Sequence, residues 1–174
     1  QAVADVLTMQ QSLGDLSGKT VSYVGDFNNV ARSLCEASAM LGMHIRLGCP
    51  EGYDAHDNEL LGFTELGAAS IEQYRDVSIA VQGAHAVHTD TWTSMGQESE
   101  SAEREAIFGG YQITDAMMSL ADPKAIFMHC LPAHRGQEVA DSVIDGPQSM
   151  IYPQAHNRMH AARGVLAFLM GVSA

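Results

Sequence analysis

The sequence predicts an α/β domain, a three-layer open parallel sheet with helices on both faces, Rossmann-like in outline. Three observations lead there. Short strand-like runs such as Thr20-Val21-Ser22-Tyr23-Val24 and Ala86-Val87-His88-Thr89 alternate with segments of helical spacing. Gly25, Gly42 and Gly48-Cys49-Pro50 mark joints between them. Finally, 174 residues, 46% of them hydrophobic, suffice for one core and leave little room for two independent domains. A sheet built this way collects ligands beyond the carboxyl ends of its strands.

The elements follow in order. Val3, Val6, Leu7 and Leu13 keep helical spacing with no Ser, Thr or Asp cap before them, so a helix opens the chain and a larger protein is expected to continue upstream. Residues 14–18 close that helix, and the strand 20–24 ends at Gly25-Asp26 in a strand-to-helix turn. A helix over 29–41, with Val30, Leu34 and Ala37 on one face, stops at Gly42, and the strand 44–47 follows. A polar helix over 56–66, a short strand near Ser70 and a helix over 77–83 lead to the strand 86–89, which runs into Asp90. Residues 91–111 are polar and contain Gly96, Gly109 and Gly110, which predicts a mobile functional loop, partly helical near Glu103. The last strand covers 125–129, and Met159, Ala162, Leu166 and Leu169 mark a closing amphipathic helix.

Nine Lys and Arg stand against 21 Asp and Glu, a formal charge of -12, which opposes both a nucleic acid backbone and an anionic membrane. No apolar run reaches the length of about 18 residues that a membrane helix requires, and the amino terminus has no signal core. The chain is expected in the cytoplasm. Cys35, Cys49 and Cys130 are odd in number and far apart, which fits free thiols rather than a disulfide framework.

Gly25-Asp26-Phe27-Asn28-Asn29 sits where a dinucleotide fold places its glycine fingerprint, but it lacks the second and third glycines. No nicotinamide or flavin cofactor is expected. The two asparagines suit a turn and a helix cap, or an amide facing the ligand crevice. Asp90, directly after a strand, can receive an ammonium group, and Ser94 with nearby backbone N–H groups can receive a carboxylate. Together they would suit the head of an amino acid, although a strand-end Asp with a capping Ser has the same pattern. His129-Cys130-Leu131-Pro132 again follows a strand, with a thiol and an X-Pro bond that can be cis at the same edge. His156 and His160 have the spacing of a zinc pair, with His129, Cys130 and His134 as further ligands. No Glu follows the first His, and Arg158 would bring a cation near the ion, so no metal is assigned.

Five segments in one order resemble the ornithine carbamoyltransferase family. They are Gln1-Ala2-Val3-Ala4-Asp5, Gly25-Asp26-Phe27-Asn28-Asn29, Asp90-Thr91-Trp92-Thr93-Ser94-Met95-Gly96-Gln97-Glu98, His129-Cys130-Leu131-Pro132 and Asn157-Arg158-Met159-His160. The Ser-Met-Gly loop is similar to that of the ornithine-specific branch. The resemblance implies that Asn29, Asp90, Ser94 and the Met95 backbone hold the amino and carboxyl groups of L-ornithine. It implies that Cys130 lies beside the side-chain amine as proton acceptor, and that Gln1, Cys130, Leu131 and Arg158 contact carbamoyl phosphate, Arg158 stabilising the oxyanion. The reaction implied yields citrulline and phosphate, in arginine metabolism, by a homotrimer or a multiple of one.

The family's Ser-Thr-Arg-Thr-Arg phosphate loop and its His-Pro-Cys are absent, so residues 1–174 would be the ornithine-binding domain without the N-terminal carbamoyl phosphate domain. The isolated chain is expected to make no citrulline, and the loop 91–110 to close over ornithine. The alternative is a non-catalytic amino-acid-binding or regulatory domain, which would need Asn29, Asp90 and Ser94 but neither Cys130 nor Arg158.

Overall fold

The computed structural model describes residues 1–93, 96 and 98–172. Five parallel strands, β1 (Thr20–Val24), β2 (His44–Gly48), β3 (Ser70–Tyr74), β4 (Ala86–Thr89) and β5 (Ile126–His129), form one sheet in the order β3-β2-β1-β4-β5. All five stand where the sequence predicts strands. The chain steps outward from β1 to β3 and then returns to set β4 on the other side of β1. At such a reversal the connections diverge to opposite sides and leave a crevice at the strand ends. Register makes that edge level: Val24 pairs with both Gly48 and Thr89, and Thr89 with His129. Gly25, Asp90 and Cys130 therefore leave the sheet side by side.

Side-chain alternation splits the core into two layers. Val21, Tyr23, Ile45, Leu47 and Met128 pack against α1 (Ala2–Leu13), α2 (Asn29–Met40) and α3 (Asp57–Glu65). Val24, Val87 and Phe127 pack on the other face against α4 (Val77–Val81), α6 (Asp115–Leu120) and α7 (Asp141–Ile144). Each such side chain contributes about 1.5–3 kcal/mol when fully buried. This is the predicted three-layer arrangement. The helices α6 and α7, of six and four residues, are too short to leave a periodic signal in the sequence.

Two helical faces differ from expectation. The buried stripe of α2 is Ala31, Leu34, Cys35, Ser38 and Ala39, while Val30 and Ala37 are only half-buried. Two overlapping stripes share Leu34, and docking on the sheet selects the one with small residues, which lets the helix approach closely. The closing helix α8 (Ile151–Leu169) buries Ile151, Gln154 and Asn157, whereas Met159, Ala162, Leu166 and Leu169 are exposed. It packs on α1 and β5, and Ala161, Val165 and Phe168 of its second half line an open groove with Val3 and Leu7 of α1.

Within 91–111 the chain forms a 3-10 turn at Glu98–Glu100 and then α5 (Ser101–Phe108), the helix anticipated near Glu103. Trp92 and Phe108 are buried and stack with ring centroids 6.0 Å apart, which joins the two ends of this segment, and Phe108 meets Tyr53 edge to face at 4.9 Å, which fastens it to the body. No helix among the described residues is long and apolar enough to cross a membrane.

Candidate functional site

The crevice is assembled from the three strand exits. After β1, Asn28 adopts an extended backbone and its Oδ1 accepts from the N–H groups of Val30 at 2.9 Å and Ala31 at 3.1 Å, capping α2. With Oδ1 so used, Nδ2 points across the crevice and donates to Asp90 Oδ2 at 2.8 Å. Asn28 is thus the cap, and its amide orients Asp90. Asn29, singled out from the sequence, is the first helical residue and stands exposed on the crevice wall.

After β4, Asp90 is 8% exposed and receives three donors. Besides Asn28, the Thr91 N–H donates to Oδ1 at 2.7 Å and the Cys130 thiol to the same oxygen at 2.8 Å. Among the described residues no cation pairs with Asp90. Donors to a carboxylate orient it without cancelling its charge, so the crevice floor attracts a cation. The same charge acts on Cys130: burial, then the neighbouring carboxylate, push its thiol well above the ordinary range. It is an S–H donor here, the reverse of an activated cysteine.

After β5, the Leu131-Pro132 peptide is cis and Leu131 holds a left-handed φ of 58°. Its N–H turns inward to His129 Nδ1 at 2.9 Å, while His129 Nε2 meets Glu138 Oε1 at 3.1 Å. Nδ1 accepts, so the proton is assigned to Nε2. Glu138 Oε1 also receives the His134 N–H at 2.6 Å, which ties the loop after β5 into one fully buried carboxylate.

The resulting cavity measures about 760 Å³, with Asn29, Asp90, Thr91, Cys130, Leu131 and Gln137 among its walls. Gln1 and Arg158 do not wall it: both are exposed, on α1's start and on α8. Ser94 and Met95 lie outside the described residues. The ligand-bearing atoms of Asp90, His129 and Cys130 fall within 4.8 Å of one another. Both ring nitrogens of His129 are engaged, so an ion there would have to displace one of those bonds. His156 and His160 meet edge to face on α8, centroids 4.7 Å apart, and do not join that cluster.

Sequence reasoning missed Arg104. Its guanidinium, 3% exposed, donates to the Asp26 carboxylate after β1 and to the Trp92 carbonyl after β4. It also lies over the Tyr53 and Phe108 rings at 4.9 and 5.2 Å. A cation in a polar stretch, 78 residues from its partner, leaves no local signal.

The chain resembles known proteins along nearly its whole length. A family model described as Aspartate/ornithine carbamoyltransferase, Asp/Orn binding domain, matches residues 17–169. Over 173 residues, 98% of this chain, it is 49% identical to an ornithine carbamoyltransferase of Parasynechococcus marenigrum (strain WH8102), covering 54% of that protein. It is 48% identical to the ornithine carbamoyltransferase of Symbiobacterium thermophilum, covering 56% of it. The solved ornithine carbamoyltransferase of Pyrococcus furiosus superposes with a TM-score of 0.90 at 44% identity, over 99% of this chain and 56% of that one. The chain spans about half the length of the curated relatives it matches.

Proposed function

Because the chain belongs to the aspartate/ornithine carbamoyltransferase family through its Asp/Orn-binding domain, we propose that it is the ornithine-binding half of an ornithine carbamoyltransferase. The observation that carries this reading is Asp90, an oriented carboxylate without a cation partner among the described residues, at the level edge where β1, β4 and β5 end. An α-ammonium fits it, and Asn29, Ser94 and the Met95 backbone would hold the rest of the amino-acid head. That leaves the side-chain amine to extend along the crevice toward Cys130 and Leu131.

A second domain of the longer protein would bring carbamoyl phosphate. The neutral amine attacks the carbamoyl carbon, a C–N bond forms, the C–O bond to phosphate breaks, and one amine proton is released, giving citrulline and phosphate. The Leu131 N–H is committed to His129, so the ligand would meet that residue's carbonyl, an acceptor suited to the carbamoyl NH₂. Gln1 and Arg158 are assigned to the same substrate, Arg158 to the developing oxyanion. Cys130 takes up the amine proton only after losing its own, and an ammonium on Asp90 favours that loss by cancelling the charge that opposes it. Segment 91–110 would close over the bound amino acid. Residues 1–174 would form this one domain, in a cytoplasmic homotrimer or a multiple of it serving arginine metabolism.

The test is Asp90→Asn in the full-length protein. Removing the anion that receives a largely buried ammonium costs about 2–5 kcal/mol, so the KM for ornithine should rise by roughly thirtyfold to several thousandfold. An unchanged KM for ornithine would overturn the assignment.

A further inference from the structure

A polar network lies behind the crevice where α1, α8 and β5 meet. Asp5 Oδ1 accepts from Gln1 Nε2 at 2.7 Å and from Gln154 Nε2 at 2.7 Å. Gln154 Oε1 accepts the His129 N–H at 2.9 Å, one residue before Cys130. Asp5 and Gln154 are both fully buried. Asp5 Oδ2 has no hydrogen-bond partner among the described residues; the nearest basic nitrogen is His88 Nε2 at 3.8 Å, on a ring that burial holds neutral.

A buried carboxylate with an orphaned oxygen is a poor way to fasten two helices, since apolar side chains of the same volume do so at lower cost. Asn157 already joins α8 to α1, donating to Thr8 Oγ1 at 2.9 Å and Gln11 Oε1 at 2.8 Å. What Asp5 adds is direction. It holds one N–H of the Gln1 amide, which fixes the amide's orientation and leaves its oxygen and second N–H for a ligand. Gln154 links that orientation to the backbone that carries Cys130 and Leu131.

We propose that Asp5 and Gln154 are positioning residues that hold the Gln1 amide with its oxygen toward the carbamoyl NH₂ of carbamoyl phosphate, in register with the loop after β5. The reading of Gln1 as a carbamoyl phosphate contact is the premise. Losing the captured rotamer costs the order of one immobilised side chain, roughly tenfold in affinity.

The experiment is a double-mutant cycle in the full-length protein, read as the Kd for carbamoyl phosphate and the KM for ornithine at saturating carbamoyl phosphate. Asp5→Leu should weaken carbamoyl phosphate about tenfold and leave the ornithine KM unchanged. Should that variant not fold, Asp5→Ala replaces it. Asp5→Asn, which keeps the Oδ1 acceptor, should restore binding. In a Gln1→Ala background the Asp5 change should have no further effect. Equal loss for both substrates, additive losses, or no rescue by Asn overturns the positioning role. If Gln1→Ala alone leaves the Kd for carbamoyl phosphate unchanged, the premise fails instead, and the proposal with it.

Discussion

Asn28 spends its amide oxygen on the amino terminus of α2 and its NH₂ on Asp90, so helix start and ligand carboxylate are held in one geometry. The sequence offered a cap or a ligand-facing amide as alternatives; Asn28 is the cap and reaches Asp90 because β1 and β4 end level, while Asn29 stands on the crevice wall. Asp90 and Cys130 were legible from their positions directly after strands. Their mutual hydrogen bond was not, because it joins residues 40 apart. It carries a consequence for reactivity: with the Asp90 charge beside it, Cys130 should alkylate slowly at neutral pH. The pH midpoint of its reaction with iodoacetamide should lie well above the free-thiol value of about 8.5 and fall in Asp90→Asn. A midpoint unmoved by that substitution would mean that the carboxylate does not control the thiol.

Strands were the most legible elements: β1, β4 and β5 are short, largely apolar runs buried on both faces of a parallel sheet, while β2 and β3 are half-buried and are marked by the turn residues that bound them. Helices were legible in place but less so in orientation. The inner face of α2 was off by one residue, and the apolar face of α8 is exposed, because periodicity reports that a stripe exists and not what covers it. The helix α5 was anticipated, but the force that holds it was not. Arg104 ties it to the exits of β1 and β4, and its removal leaves Asp26 without its cation in a site where burial already raises that carboxyl. Arg104→Met should lower stability by about 3 kcal/mol. It should also speed hydrogen exchange across 98–111 ahead of the rest of the chain. Denaturant unfolding and exchange that match the parent protein would show that the aromatic contacts alone hold α5.

At the scale of the whole molecule, one sheet buries all three thiols at least partly, and each titrates above its ordinary range. Cys49 is pushed up to about 12, chiefly by burial and then by Asp54. The unfolded chain loses these protons near pH 8.5 while the folded chain keeps them, so it binds fewer protons and stability falls as pH rises. The thermal midpoint should hold below about pH 8 and decline steadily from about pH 9, and less steeply in Cys49→Ala. A flat alkaline limb would contradict this. The sequence by itself determined the order of the five strands and of the longer helices, the class of sheet and the residues that follow each strand, because hydrophobic period and turn chemistry act over neighbouring positions. Only the tertiary structure decided that Asp90, Asn28 and Cys130 share one hydrogen-bonded edge, that Arg104 braces it, and that Asp5 and Gln154 stand behind it. Those contacts depend on strand order and register, which bring together residues 40 to 149 positions apart and leave no local trace.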